Sequence, residues 1–467
     1  MNEVPLWNPP AAPSRRELLK TTGAGFGWLA LAGLLDQEAR RAGAAGPPAR
    51  KPAAGPLAVK PPHYPAKAKR IIFLFLEGAI SQMDSWEYKP QLQKDGGKAG
   101  PGGGTLTASK FKFARHGKTG TWVSELFPHL ATQVDGLCFL RGLHTDTPAH
   151  PQAVVQLHTG AANAALTRPS LGAWLLYGLG SENQDLPGYV TINPPPNVGG
   201  AVNYGNAFLP AHYQGTRISD QGAMPNLRAA AAGRLQRKQL DLVQAMNRDL
   251  AARPGAPDEV DAVIKSYELA FKMQHKVPAL LDISKEPRKV REAYGVKPGP
   301  AGSFARQCLM ARRLSEAGVR FVEVRQGGWD HHSGLHQGMI RGAAMTDRPA
   351  AALLDDLRQR GLLDETLVLF GSEFGRQPTA QGPDGRDHNI TGYPMWLAGA
   401  GVKKGFSYGA TDEYGQKAVE GQMHTTDLHA TLLALLGLDH EALTYRYAGR
   451  NFRLTDVAGT VVKEVFA

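Results

Sequence analysis

The apolar positions of this chain fall into short continuous runs separated by stretches of helical spacing. Residues 71–76, IIFLFL, are unbroken apolar sequence ended by Glu77-Gly78. Such a run predicts a strand buried on both faces of a sheet. Further strands are predicted at 135–143, at 186–192 before Pro194-Pro195-Pro196, at 319–326, from Glu365 through TLVLF, and at 395–401. Helical periodicity runs through 223–293, 304–317 before Gly318, 345–361, and 425–437. The glycine-rich stretch 94–104 reads as a loop. Strands alternating with helices predict a doubly wound α/β sheet, whose ligands sit beyond the carboxyl ends of the strands.

The first 69 residues do not follow this pattern. Ser14-Arg15-Arg16-Glu17-Leu18-Leu19-Lys20 precedes the apolar run TTGAGFGWLALAGLL, which has the anatomy of an export signal. The segment resembles a twin-arginine leader, with Leu18 in the usual Phe place. Residues 1–45 are therefore expected to engage the twin-arginine export machinery, giving a periplasmic or cell-surface protein. Residues 46–69, rich in Pro and Ala, are expected to be a linker. No later stretch reaches the length of a membrane span.

Charge changes the picture little. The formal net charge is +11, but residues 1–70 hold 11 Lys/Arg against 4 Asp/Glu, and the rest of the chain holds 42 against 38. The basicity belongs mostly to the leader and linker, and no aromatic-plus-basic module is present, so nucleic acid is not an expected partner. Cys138 and Cys308 are too few for a disulfide framework or a thiolate metal cluster.

Chemistry gathers at the strand ends. Glu77 follows the first strand, and Asp330-His331-His332 follows the strand 319–326. Glu373 follows the strand that begins after Glu365, with Asp387-His388 in the loop beyond it, and His150 follows the second strand. Carboxylate and imidazole sets suit Zn²⁺, Mn²⁺ or Fe²⁺, and oxygen-rich sets suit Ca²⁺ or Mg²⁺. On an extended segment Asp330 and His332 share one side, with His331 on the other.

The blocks IFLFLEGAISQMDSWEYKP, TDTPAHPQAVVQLHTG, RPSLGAWLLYGLGSENQDLPGYV, GGWDHHSG, GSEFGRQPTAQGPDGRDHN and TTDLHATLLALLGL carry a family resemblance. The chain resembles exported, sulfatase-like proteins with twin-arginine leaders, a group of unknown function within the alkaline phosphatase superfamily. The resemblance implies an alkaline-phosphatase-like three-layer α/β/α sandwich with a mostly parallel central sheet. The resemblance covers about residues 65–465, and the single domain it implies runs over 70–467, with a helical insertion at about 223–293.

The resemblance also implies roles. Glu77 stands where the superfamily has a metal-binding Asp. His150 stands where sulfatases carry their Cys, Ser or Thr nucleophile, so it is a candidate ligand or general base and, in rare cases, a nucleophile. Asp330 and His332 match a ligand or acid–base pair, with His331 as the alternative and Trp329 as packing. In TLVLFGSEFG, Glu373 stands for a metal-binding Asp and Phe374 for a His, so one ligand is missing or supplied from elsewhere. Arg376 is a candidate to hold Glu373 or an anionic substrate group. His388 matches a metal-binding His, with Asp387 ligating or orienting it. Asp427 is expected mainly as a helix cap, and His429 as core or site. Ser81 and Asp84 are candidates to face the site, and Cys138 is expected in the core. The expected set is therefore His150, Asp330 and Arg376 for catalysis, and Glu77, Asp330, His332, Glu373, Asp387 and His388 for a divalent metal, Zn, Mn or Ca. Two functions stand open. One is a metal-dependent hydrolase of sulfate or phosphate esters, small molecules or glycans. The other is a non-catalytic exported binding protein; a phosphomutase-like transferase is a lesser third.

Overall fold

A computed structural model describes residues 57–101, 103–162, 167–224, 233–253, 259–299 and 302–467. The leader expected at 1–45 and the first part of the linker lie outside the described residues. Eleven strands matter for the argument: β1 (Arg70–Leu76), β2 (Leu137–His144), β3 (Tyr189–Ile192), β4 (Thr216–Ile218), β5 (Phe321–Gln326), β6 (Thr366–Gly371), β7 (Gly375–Gln381), β8 (Gly385–Asn389), β9 (Tyr393–Gly399), β10 (Phe406–Tyr408) and β11 (Met423–His424). The helices that matter are α1 (His150–Thr159), α2 (Leu171–Leu179), α3 (Gly233–Ala251), α4 (Glu259–Leu281), α5 (Arg288–Tyr294), α6 (Phe304–Glu316), α7 (Leu335–Gln359) and α8 (Thr425–Leu435).

Among the described residues the central sheet has nine strands, in the order β10-β2-β9-β6-β1-β5-β3-β4 with β11 beside β2. Strand β9 runs antiparallel to both neighbours, β2 and β6, and the other pairings are parallel. The α/β class expected from the alternation is the class observed. β1 lies in the middle, fully buried, and its side chains alternate between two cores. Ile72, Leu74 and Leu76 pack with α6 and α7 on one face. Ile71, Phe73 and Phe75 pack with α1, α2 and α8 on the other. This two-sided burial is the physical reason that β1 reads as a continuous apolar run.

Three expectations need correction. Residues 57–69 were expected as linker, but they are bound along the domain. Leu57 and Ala68 are buried. Lys60 Nζ donates to the Tyr177 carbonyl at 2.7 Å, and Lys67 N and Ala68 N both donate to the Leu435 carbonyl at 2.9 Å. Helix α7 begins ten residues earlier than the expected 345, at Leu335. Gly338 and Gly342 disguise its first turns. A Cβ on Gly338 would lie 2.2 Å from the His331 ring, and one on Gly342 2.7 Å from the Trp329 ring. Packing therefore selects glycine where propensity disfavours it. Finally, residues 375–389 form a hairpin of β7 and β8 rather than a loop, so His388 sits on a strand opposite Arg376.

Candidate metal centre

The carboxyl ends of β1, β2, β5 and β6 open on one edge of the sheet, and the strand-end residues meet there. The loop after β5 must pass close to the loop after β1. Gly78 makes this approach possible: its φ is +110°, and a Cβ there would stand 2.6 Å from Asp330 N. Asp330 and His332 lie on this loop, His150 is the first residue of α1, and His388 is on β8. One ligand atom from each of His150, Asp330, His332 and His388 falls within 4.8 Å of every other.

Asp330 is the centre of the group. Its Oδ1 lies 3.3 Å from His150 Nε2, 3.0 Å from His332 Nε2 and 3.4 Å from His388 Nε2. Each imidazole is held by its other nitrogen. His150 Nδ1 is 2.6 Å from Glu373 Oε1, His332 Nδ1 is 2.5 Å from Gln381 Oε1, and His388 Nδ1 is 2.6 Å from the Pro148 carbonyl. An acceptor at Nδ1 selects the tautomer that turns the Nε2 lone pair inward, which is the arrangement that metal-binding histidines require. Phe374 is fully buried, with ring centroids 4.8 Å from His150 and 4.7 Å from His388. It forms an apolar wall against both rings.

The donor set fits a cation. His150 Nε2 is buried without a hydrogen-bond partner, its 3.3 Å approach to Asp330 being out of alignment. Burial pulls the His150 imidazole down, but the negative charges of Asp330 and Glu373 and the Glu373 hydrogen bond outweigh it, and its pKa is pushed up to about 9. Burial likewise acts to raise the Asp330 carboxyl, and His150, His388 and Arg376 together hold it well below the usual carboxylate range.

The other expected site residues fall elsewhere. Glu77 is not in the group: its carboxylate pairs with Arg325, and burial nevertheless raises its pKa. Glu373 is fully buried behind His150, accepting from Gly78 N at 2.9 Å, so it orients a ring rather than facing the centre. Asp387 is 61% exposed and stands 3.9 Å from His332 Nδ1, beyond hydrogen-bond reach. A bulge between Arg386 and His388 turns it outward.

Arg376, expected to bind an anionic group, has no exposed surface. Its guanidinium donates to the carbonyls of Ala79 (2.9 Å), Arg386 (3.1 Å), Trp329 (3.3 Å) and Gly78, and to Asp330 Oδ1 at 2.6 Å. It is a brace that ties the loops after β1 and β5 to strand β8. Ser81 and Asp84 do not face the centre either: they bond each other at 2.5 Å, and Asp84 holds the buried Arg386 at 3.0 Å. His331 is buried against Gly338, and burial lowers its pKa to about 4. Trp329 is core, as are Cys138 and His429. His429 Nε2 bonds the Leu157 carbonyl at 2.7 Å. Asp427 caps α8, accepting from His424 N at 2.8 Å.

Sequence reasoning missed the orienting partners Gln381 and Pro148. Gln381 carries no motif, and a backbone carbonyl has no sequence signature.

The fold and the site together define an α/β protein with a histidine–carboxylate cluster at the carboxyl edge of its sheet. Residues 68–466 match the family described as a protein of unknown function, DUF1501, and the chain belongs to that family. No curated protein matches the chain. Solved structures that the chain is similar to include a protein in the alkaline phosphatase superfamily from Vibrio parahaemolyticus, 12% identical, TM-score 0.39, covering 83% of this chain and 71% of that one. The lipoteichoic acid synthase LtaP from Listeria monocytogenes is 10% identical, TM-score 0.37, covering 85% and 78%. The PsFucS1 sulfatase from Pseudoalteromonas sp. is 13% identical, TM-score 0.35, covering 80% and 68%. Among the described residues, no helix is long and apolar enough to cross a membrane.

Proposed function

We propose that His150, Asp330, His332 and His388 hold one divalent metal ion, and that the protein is a metal-dependent hydrolase of sulfate or phosphate esters. The observation that carries the reading is the convergence of these imidazoles on Asp330 with every Nδ1 already engaged. Three nitrogens and one carboxylate suit zinc best, then manganese; calcium, which prefers oxygen, fits this set less well. The metal would supply Lewis-acid polarisation of an ester oxygen. The chain's own part is to fix the ligands: Glu373, Gln381 and the Pro148 carbonyl hold the rings, Arg376 fixes the Asp330 loop, and Phe374 keeps one side dry. His150 occupies the place that the sequence resemblance gives to a nucleophilic hydroxyl or thiol. The attack on the ester therefore falls to water rather than to a side chain. The ester class rests on that resemblance, as does export through the leader at 1–45.

A second reading is a non-catalytic binding protein on an inherited fold. Its support is Phe374 in the place of a ligand and Arg376 buried beyond the reach of an anion. The test is metal analysis of the purified full chain beside His388→Ala, followed by turnover of 4-nitrophenyl sulfate and phosphate. Stoichiometric metal lost in the variant, with turnover, supports the hydrolase. Metal without turnover of either ester favours the binding protein. No metal after resupply overturns the proposed centre.

A further inference from the structure

Helix α3 turns its apolar side outward. Among the described residues, polar links tie it to α4: buried Gln244 donates to the Ile264 carbonyl at 2.6 Å, Gln236 to Gln274 Oε1 at 2.6 Å, and Arg237 to Glu268 at 3.0 Å. Meanwhile Leu235, Leu242, Met246 and Leu250 are 53, 65, 51 and 40% exposed. Their spacing of seven, four and four residues places them on one helical face. Val243 and, on α4, Tyr267 are exposed as well. Among the described residues no element covers this stripe. A contiguous apolar patch of this kind marks an interaction surface.

We infer that this face is the contact between two copies of the chain, with their α3 helices packed antiparallel about a two-fold axis. Charge decides the partner. Lys238 and Asp249 are both exposed and, three turns apart, share one flank of the stripe. In an antiparallel pair about a two-fold axis each flank faces itself, so the patch must be self-complementary. With the axis passing near Val243 and Gln244, Lys238 of each copy meets Asp249 of the other. In that register Leu242 and Met246 of both copies meet at the centre, and Leu235 of each packs near Leu250 of the second. The other flank, Gln239 and Val243, carries no charge to oppose the approach. Asp249 beside the stripe is unsuited to an anionic membrane surface. At 1.5 Å per residue, α3 is about 28 Å long, so alone it covers less than the roughly 800 Å² per partner of a standard interface. The Tyr267 edge of α4 must join the contact, and a concentration-dependent dimer follows.

The test is sedimentation velocity on the full chain across a roughly hundredfold concentration range reaching the micromolar regime. The expected result is a monomer–dimer equilibrium, abolished by Leu242→Asp with an unchanged circular dichroism spectrum. Lys238→Glu is expected to weaken the dimer about tenfold, and adding Asp249→Lys to restore it. A wild-type chain that stays monomeric overturns the inference, whether or not it binds phosphatidylglycerol vesicles. So does a dimer that Leu242→Asp leaves intact, or one that the charge reversal does not rescue.

Discussion

Replacing Arg376 separates a brace from a substrate clamp. Its guanidinium is fully buried and donates to four backbone carbonyls, those of Gly78, Ala79, Trp329 and Arg386. Arg376→Ala leaves these acceptors without that donor. A buried acceptor left unpaired costs about 1–3 kcal/mol, so the low end alone gives about 4 kcal/mol. Asp330 also loses a cation at 2.6 Å, but its side chain is 45% exposed, and solvent screening makes that contribution the smaller one. The sum is a large part of the about 5–15 kcal/mol that holds a typical domain together. Arg376→Lys keeps the charge but not the planar fork, and it is expected to cost about 2–3 kcal/mol. Urea unfolding followed by tryptophan fluorescence reads both variants through their midpoints. The expected order is wild type, then Lys, then Ala, with metal content falling in the same order as the Asp330 loop loosens. An Arg376→Ala protein with an unchanged midpoint and only a raised KM for an anionic ester would refute the reasoning.

Glu373→Gln keeps an acceptor for Gly78 N but removes the charge behind His150, and it is expected to weaken metal binding about 10–100-fold. Competition with a chromogenic chelator measures this, and an unchanged Kd removes Glu373 from the orienting role. Gly78→Ala meets both a φ of +110° and a Cβ 2.6 Å from Asp330 N. Strain and overpacking together are expected to cost about 2–5 kcal/mol, read as a lowered urea midpoint; a wild-type midpoint contradicts the close approach. His158 and Glu323 form a buried pair at 3.1 Å. Burial pulls the His158 imidazole down, but the Glu323 charge and the Val154 carbonyl outweigh it, so its pKa is raised. This contribution is full below about pH 6.5, the unfolded value, and is lost as pH rises through the folded pKa. His158→Gln should flatten that decline in stability on the alkaline side, and parallel wild-type and variant profiles would count against the pair.

The sequence by itself determined the frame of this protein. A strand buried on both faces must be apolar along its whole length, so β1 and its alternation with helices were legible in residues 71–76 and beyond. Chemistry at the ends of such strands was legible too. Asp330, His332, His388 and His150 were all named from their positions, because the carboxyl edge of a parallel sheet gathers whatever follows its strands. Partners across the fold were not legible. Glu77 and Glu373 look alike in sequence, each an acid after an apolar strand. Only the packed structure gives one to Arg325 and sets the other behind His150. Arg376 carries a charge that suggests a ligand, yet its surroundings supply carbonyls from loops 47 and 297 residues earlier in the sequence. The hairpin β7–β8 and the early start of α7 were hidden for a related reason. Their residues answer to neighbours brought in by the fold, such as the rings of His331 and Trp329 against Gly338 and Gly342, and local periodicity does not record those neighbours.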